Sequence, residues 1–284
     1  MRFPPLADSP RKGRRLPFSP WHLFLAPVAA IMLVPFVWMV ILSLETKQQA
    51  SSFPPVLTPS TLHFGNYPAT WNSVPFGHFF LNSLMYSLAT VAGNLLFCSL
   101  AAYAFARIRF FGRDVLFVLF LATLMVPFQV ILIPTFLIVK KLGLVDSVGG
   151  LIMPNLCSAF GIFMLRQFFR TLPIELEEAA RIDGTSRLGI LFKIVLPLSL
   201  PALATLGIIQ FMWSWNDFLW PLIIIDTPTH APLQLGLSTL QGAHSTEWNL
   251  LMAGTVMSLI PMMAIFLFAQ RWFIRSIAFT GVKQ

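Results

Sequence analysis

Six apolar stretches limit what this chain can become: they lie near residues 21–44, 80–105, 115–139, 149–169, 199–225 and 250–272. Each reaches the roughly 20 residues that a helix needs to cross the hydrocarbon core of a bilayer. The polar residues left over are too few to build a soluble surface. Only 11% of the 284 residues are charged and 56% are hydrophobic, against roughly 25% charged in an average soluble domain. Phenylalanine outnumbers tyrosine 28 to 3, as expected where rings face hydrocarbon and a phenolic hydroxyl would need a partner. The chain reads as an all-α integral membrane protein with six transmembrane helices.

Helix breakers punctuate every stretch: Pro27 and Pro35, Gly93, Pro127 and Pro134, Pro154 and Gly161, Pro201 and Pro221, and Pro261. Such residues survive in membrane helices where neighbours satisfy the freed carbonyls. Gly93, Gly161, Gly207 and Gly254 are expected at close helix–helix contacts.

Orientation follows from the basic residues. With the N-terminus inside, 16 of the 19 Lys and Arg fall on the cytoplasmic side: five up to Arg15, then Arg107, Arg109 and Arg113, then Arg166, Arg170, Arg181, Arg187 and Lys193, then Arg271, Arg275 and Lys283. Lys47, Lys140 and Lys141 are the remainder. Cytoplasmic loops retain such an excess, so both termini are expected in the cytoplasm. The net charge of +8 is then a membrane signature and calls for no nucleic acid.

The expected plan is a cytoplasmic tail (1–20), a first span (21–44), an outer segment (45–79), a membrane core (80–275) with a cytoplasmic loop at 170–197, and a second tail (276–284). Arg11, Lys12, Arg14 and Arg15 before an apolar run imitate a signal peptide, but the run is longer than a signal's apolar region and no small-x-small cleavage pattern follows. It is read as an uncleaved span. The outer segment is rich in Pro, Ser and Thr, with Tyr67 and Trp71 as interfacial aromatics. Cys98 and Cys157 both sit in apolar stretches and are read as packing residues, and His22, His63, His78, His230 and His244 have no ligand spacing.

The loop from Arg166 to Lys193 differs from every other: it is long, strongly charged and helical in pattern. Thr171 suits an N-cap and Pro173 a first turn. Glu175, Glu177 and Glu178 favour the positive end of a helix, and Gly184 is a natural terminator. A helix is therefore expected over about 172–183, with Thr185 or Ser186 capping a second that ends before Pro197. Ala179 and Ala180 would let another surface approach the backbone closely.

The order Glu178-Ala179-Ala180, Asp183-Gly184, then Ile194-x-Leu196-Pro197 resembles the EAA loop of binding-protein-dependent ABC importers. Further similarity lies in Asn82-Ser83, in Ala101-Ala102-Tyr103-Ala104-Phe105-Ala106-Arg107, in Trp215-Asn216-Asp217 with Pro221, and in the ending from Gln270-Arg271-Trp272 to Thr280-Gly281. The pattern is similar to the shorter permease subunit of maltose-type and glycerol-phosphate-type importers. This resemblance implies a type I ABC importer permease fold in a bacterial or archaeal plasma (inner) membrane. It also implies a second permease subunit, a dimer of ATPase subunits and an extracytoplasmic solute-binding protein as partners. Glu178, Ala179, Ala180, Asp183, Gly184, Leu196 and Pro197 would then couple the chain to the ATPase. No G-x-x-x-x-G-K-[ST] occurs in the sequence, so no cofactor is expected here; ATP and Mg belong to the partner, and the chain is not itself an enzyme.

Asp217 is the only acidic residue placed inside a stretch, near the outer end of the fifth. An ionised carboxylate at that depth is costly, so it should face water, a partner or the bundle interior. Trp215, Asn216 and Asp217 are candidates for the pathway or its gate, the tryptophan faces being suited to sugar rings; an interfacial Asp beside an aromatic belt is the structural reading. A secondary transporter would need several intramembrane acids or histidines and an internal repeat, and a membrane enzyme would need convergent catalytic side chains. One acid and no clear repeat are present.

Overall fold

The computed structural model describes residues 21–55, 58–59, 61–242 and 246–280, the stretch 269–280 as backbone only. The basic N-terminal tail, His244, the side chains of the C-terminal signature from Gln270 and the end of the second tail (281–284) lie outside the described residues. The described chain is helical, with one isolated bridge between Gln241 and Thr246. Among the described residues, three helices are long and apolar enough to cross a bilayer unaided: Trp21–Ser43, Phe76–Arg107 and the described part of the last, Trp248–Phe268.

The other three stretches are broken. Arg113–Met125 and Phe128–Lys141 meet at 105°, Val148–Asn155 and Ala159–Thr171 at 44°, and Arg187–Leu198 and Leu200–Trp215 at 81°. Proline shapes each break. Pro127 directly precedes the Phe128 helix and Pro201 occupies the first turn of the Leu200 helix, positions where its missing N–H leaves no helical carbonyl unpaired. Pro154 lies in a 3₁₀ turn, and Gly150 O, four residues back, accepts from Trp220 Nε1 instead. Counting each bent pair as one span gives up to six. The fifth expected stretch, 199–225, ends its helix early: the regular turn stops at Trp215, and a separate short helix covers Leu219–Ile224. Asp217 therefore lies in the break between two helices and not within one.

The first helix is exposed along most of its length, with Trp21, Leu23 and Ile31 all more than 70% exposed, and it packs on the last helix. Its Pro27 and Pro35 cause no interruption. The outer segment is not irregular throughout: Lys47–Ala50 and Asn66–Ser73 are helical, and the Tyr67 hydroxyl lies 2.9 Å from Ser43 Oγ. Asn66 Nδ2 donates to the carbonyls of Ser43 and Glu45, which ties this segment to the end of the first helix.

Buried side chains form two clusters. One gathers Phe76, Phe79, Tyr86, Trp215, Trp220 and Leu251; the other gathers Cys98, Tyr103, Ile162, Phe169, Ala180 and Leu191. Three of the four glycines expected at tight contacts are there. A Cβ at Gly93 would lie 2.4 Å from the Leu156 side chain, at Gly161 2.8 Å from Cys98 Sγ, and at Gly254 2.4 Å from the Leu237 side chain. Gly207 is the exception: its nearest neighbour would be 3.6 Å away, because it lines an open apolar groove with Val91, Leu95 and Leu203.

Candidate functional site

Two places bring functional side chains together. The first is the loop between the fourth and fifth broken spans. The Ala159–Thr171 helix ends where Arg107, from the last turn of Phe76–Arg107, donates through Nη2 to the carbonyls of Phe169 (2.7 Å) and Leu172 (2.6 Å). Thr171 consequently stays in that helix, its hydroxyl donating to Phe168 O at 2.7 Å, and it does not cap the next one. The next helix is Glu175–Ile182 and has no side-chain cap. Glu175, Glu177 and Glu178 in its first turn supply compensating negative charge.

That helix is fastened to the bundle by one face. Glu177 is 2% exposed and Ala180 8%. Glu177 Oε1 lies 2.7 Å from Arg107 Nε as a buried ion pair, and Oε2 accepts from the Tyr103 hydroxyl at 3.2 Å. Glu177, Tyr103 and Arg107 thus form one anchored unit. Ile174, Leu176, Glu178, Ala179 and Ile182 all face outward. Gly184, at φ +78, ends the helix in a left-handed turn: its N–H donates to Arg181 O and that of Thr185 to Ala180 O, the paired bonds of a Schellman stop. Ser186 then caps Arg187–Leu198 by accepting from Gly189 N. This helix continues through Leu196 and Pro197 to Leu198 instead of stopping before the proline. The wider π turn at Leu191–Val195 leaves room for a ring that would otherwise crowd the carbonyl four residues back.

Of the residues expected in this loop, Glu178, Ala179, Asp183 and Gly184 are exposed, Ala180 is buried against the bundle, and Leu196 and Pro197 lie at the far end of the second helix. Glu177 is the member that the motif alone did not single out. A carboxylate on the same face as Ala180, three residues away, was the available signal.

The second place is a cavity of about 540 Å³ bordered by the breaks of the third and fourth spans and by the end of the fifth-span helix. Phe128 opens the second half of the third span, Asn155 and Ser158 border the break of the fourth, and Asn216 and Asp217 follow the fifth. Irregular backbone at membrane depth is tolerated where it lines such a space. Asp217 Oδ2 accepts from the Tyr86 hydroxyl (2.8 Å), which itself accepts from Asn155 Nδ2 (3.0 Å). Asp217 Oδ1 receives the Trp220 N–H at 3.4 Å. Below this network Asn94, set on a π turn of the second span, donates to Asn155 O (2.6 Å) and accepts from the Ser158 hydroxyl (2.7 Å). Cys98 Sγ lies 3.7 Å from Cys157 Sγ, and both thiols are free.

Asn216 and Asp217 line this cavity, and Trp215 does not. Its ring is 1% exposed, stacks on Phe211, and donates from Nε1 to Ser258 O at 3.2 Å. The sequence neighbours are separated because the helix ends at Trp215 and the chain turns away at Asn216 and Asp217. Trp213 and Trp220 take the place expected of Trp215.

At the opposite end from the loop, Asp146 holds the segment after the fifth span. Its carboxylate accepts from the backbone N–H of Asp226 and Thr227 and from the Thr227 hydroxyl, with His230 Nδ1 3.3 Å away. These bonds, led by the Thr227 hydroxyl, lower its pKa from 3.8 to about 2. Asn82 donates to the carbonyls of Thr229 and Ala231, and Ser83 accepts from Leu233 N, so the Asn82-Ser83 pair is the second anchor of this segment.

Known proteins share this arrangement. Residues 94–279 match the family described as binding-protein-dependent transport system inner membrane component. The arabinooligosaccharides transport system permease protein AraQ of Halalkalibacterium halodurans is 36% identical over 277 residues, 96% of this chain and 99% of the relative. The sn-glycerol-3-phosphate transport system permease protein UgpE of Pectobacterium atrosepticum is 36% identical over 263 residues, 90% of this chain and 93% of the relative. Among solved structures, a chain of a bacterial ABC transporter involved in the import of the acidic polysaccharide alginate superimposes with a TM-score of 0.76 at 26% identity, covering 90% of this chain and 99% of that one. A family match from the second span through the last helix, with full-length relatives on both counts, makes the chain a member of the binding-protein-dependent transport system inner membrane components, the permease subunits of ABC transporters.

Proposed function

We propose that this chain forms half of the translocation path of an ATP-driven importer for a carbohydrate or a related polyol or glycerol-phosphate solute. Its loop at 170–197 docks on a separate ATPase dimer, which holds the ATP and Mg and performs the hydrolysis. The other half of the path is a second permease subunit, and an extracytoplasmic binding protein delivers the solute. Both termini and the loop lie in the cytoplasm, on the side favoured by the basic residues. The solute class draws on relatives named for arabinooligosaccharide and sn-glycerol-3-phosphate transport.

The observation that carries this reading is the two-sided Glu175–Ile182 helix. Its inner face is pinned through Glu177 to Arg107, at the end of a 32-residue helix that reaches the cavity. Its outer face presents Ile174, Leu176, Ala179 and the 88%-exposed Ile182. Force applied outside is thus delivered to the spanning helix as to a rigid lever. Glu178, Ala179, Ala180, Asp183 and Gly184, with Leu196 and Pro197, make up the coupling element. Asn216 and Asp217 border the path, with Trp215 as the structural anchor of the gate.

Gly184→Pro tests the lever, because proline fixes φ near −65° where the turn needs +78°; Glu178→Lys tests the exposed face. In the assembled importer, each variant inserts normally but loses binding-protein-stimulated ATP hydrolysis and uptake. Unchanged uptake and unchanged coupling in either variant would count decisively against the proposal.

A further inference from the structure

We infer that the cavity where the three broken spans meet is a subsite for a neutral saccharide, contacted by Gln210 and Asp217, and that it disfavours phosphate esters. The inference rests on the permease reading above and narrows its solute class. The Gln210 side chain borders the cavity, is 5% exposed, and forms no hydrogen bond with any described residue. Its amide is therefore free to meet a polar ligand in the cavity with both donor and acceptor groups. Asp217 points to the same chemistry. Tyr86 and Trp220 occupy two of the roughly four acceptor positions of a carboxylate, leaving others for vicinal hydroxyls. Tyr86 donates to Asp217 and accepts from Asn155, so its hydroxyl fixes the carboxylate's position. Trp213, 54% exposed, offers an aromatic face, and the volume is that of a small-molecule site.

The charge pattern selects against phosphate. Among the described residues no Lys, Arg or His lines the cavity, and its one carboxylate would repel a phosphate dianion. Helix N-termini ordinarily compensate anions, but two that open here are already capped. Ser158 accepts from Gly161 N at the start of Ala159–Thr171, and Asp217 itself accepts from Trp220 N at the start of Leu219–Ile224. The third, at Phe128, has no side-chain cap, and Asp217 is the only charged group among the described lining residues.

Cys157 lines the cavity and is exposed, so its rate of maleimide labelling in the full chain, held in lipid nanodiscs, reports occupancy. Arabinotriose, maltotriose and cellobiose serve as neutral probes and sn-glycerol 3-phosphate as the phosphate ester. At least one saccharide is expected to slow labelling saturably, and the ester to leave it unchanged at the same concentration. Asp217→Asn should raise the protecting concentration roughly ten-fold, since charge-assisted hydrogen bonds are about twice as strong as neutral ones. Gln210→Leu should abolish protection while leaving thermal stability close to that of the native chain, because the amide borders the cavity and bonds to no described side chain. Protection by the ester equal to that by the best saccharide overturns the inference, as does protection by none of the saccharides. Intact protection in Gln210→Leu also overturns it. If cavity protection fails while the assembled importer retains solute-stimulated ATP hydrolysis, this inference alone falls; if that hydrolysis is missing from an intact assembly, the permease reading falls instead.

Discussion

Removing either partner of the Arg107–Glu177 pair should release the coupling helix, and the two removals should differ. With side-chain exposures of 8% and 2%, the pair is buried, and breaking such a pair from one side costs about 3–5 kcal/mol because a charge is left uncompensated. In Glu177→Ala, the Arg107 guanidinium keeps its two carbonyl acceptors at Phe169 and Leu172, so the cost belongs at the lower end, about 3 kcal/mol. In Arg107→Ala, the Glu177 carboxylate keeps only the Tyr103 hydroxyl at 3.2 Å, and both carbonyls lose their donor, so the cost approaches about 5 kcal/mol. The double variant removes both charges and should cost less than the sum, giving a coupling energy of about 2 kcal/mol or more. Amide hydrogen exchange across 175–182 in nanodiscs reads this locally. At 1.36 kcal/mol per factor of ten, Glu177→Ala should raise exchange there about a hundred-fold while the Trp248–Phe268 helix is unaffected. A coupling energy below about 0.5 kcal/mol, the value of an exposed pair, would refute the argument that this contact carries the lever.

Gly93→Val should destabilise the chain by more than about 1 kcal/mol through overpacking, because even a Cβ would lie 2.4 Å from the Leu156 side chain and 3.2 Å from Leu156 Cα; Gly207→Val, at an open position, is the control, and thermal unfolding in detergent compares them. Asp146 has a lowered pKa, so its clamp on Asp226 and Thr227 is fully formed above its ordinary 3.8 and is lost as pH falls towards about 2. Exchange at the Asp226 and Thr227 amides should accelerate, relative to the intrinsic rate, across that window in the native chain and show no such step in Asp146→Asn. The 3.7 Å separation of Cys98 and Cys157 predicts that a mild oxidant joins them, with two electrons and two protons leaving to the oxidant. The product should be an intramolecular disulfide, detected as loss of maleimide labelling at Cys157 in the folded chain and at both cysteines after denaturation, without any dimer on a non-reducing gel.

What the sequence made legible depends on how local each cause is. Span length is set by bilayer thickness, so apolar runs announced the helices directly, and the Schellman stop at Gly184 and the cap at Ser186 are written in adjacent residues. The breaks were half-legible. Pro127, Pro154 and Pro201 marked where helices would yield, but a proline specifies a lost hydrogen bond and not an angle. The 105°, 44° and 81° turns depend on which neighbours satisfy the freed groups, as Asn94 does for Asn155 O. Contacts between distant segments were not legible at all. Glu177 looked like one of three dipole-compensating acids, and only Arg107, 70 positions earlier, makes it the anchor. Thr171 looked like a cap until Arg107 claimed the carbonyls on either side of it. The Trp215-Asn216-Asp217 run shows the same limit from the other direction. Adjacency suggested one site, yet the last helical turn sends the ring of Trp215 into the core while the chain breaks after it and leaves Asp217 to Tyr86. The motif thus joins two duties, an indole that fastens the fifth span to the last helix and a carboxylate placed at the cavity. Trp215→Phe should therefore cost stability by losing the bond to Ser258 O, whereas Asp217→Asn, which keeps one acceptor oxygen for Tyr86, should act mainly on what the cavity accepts.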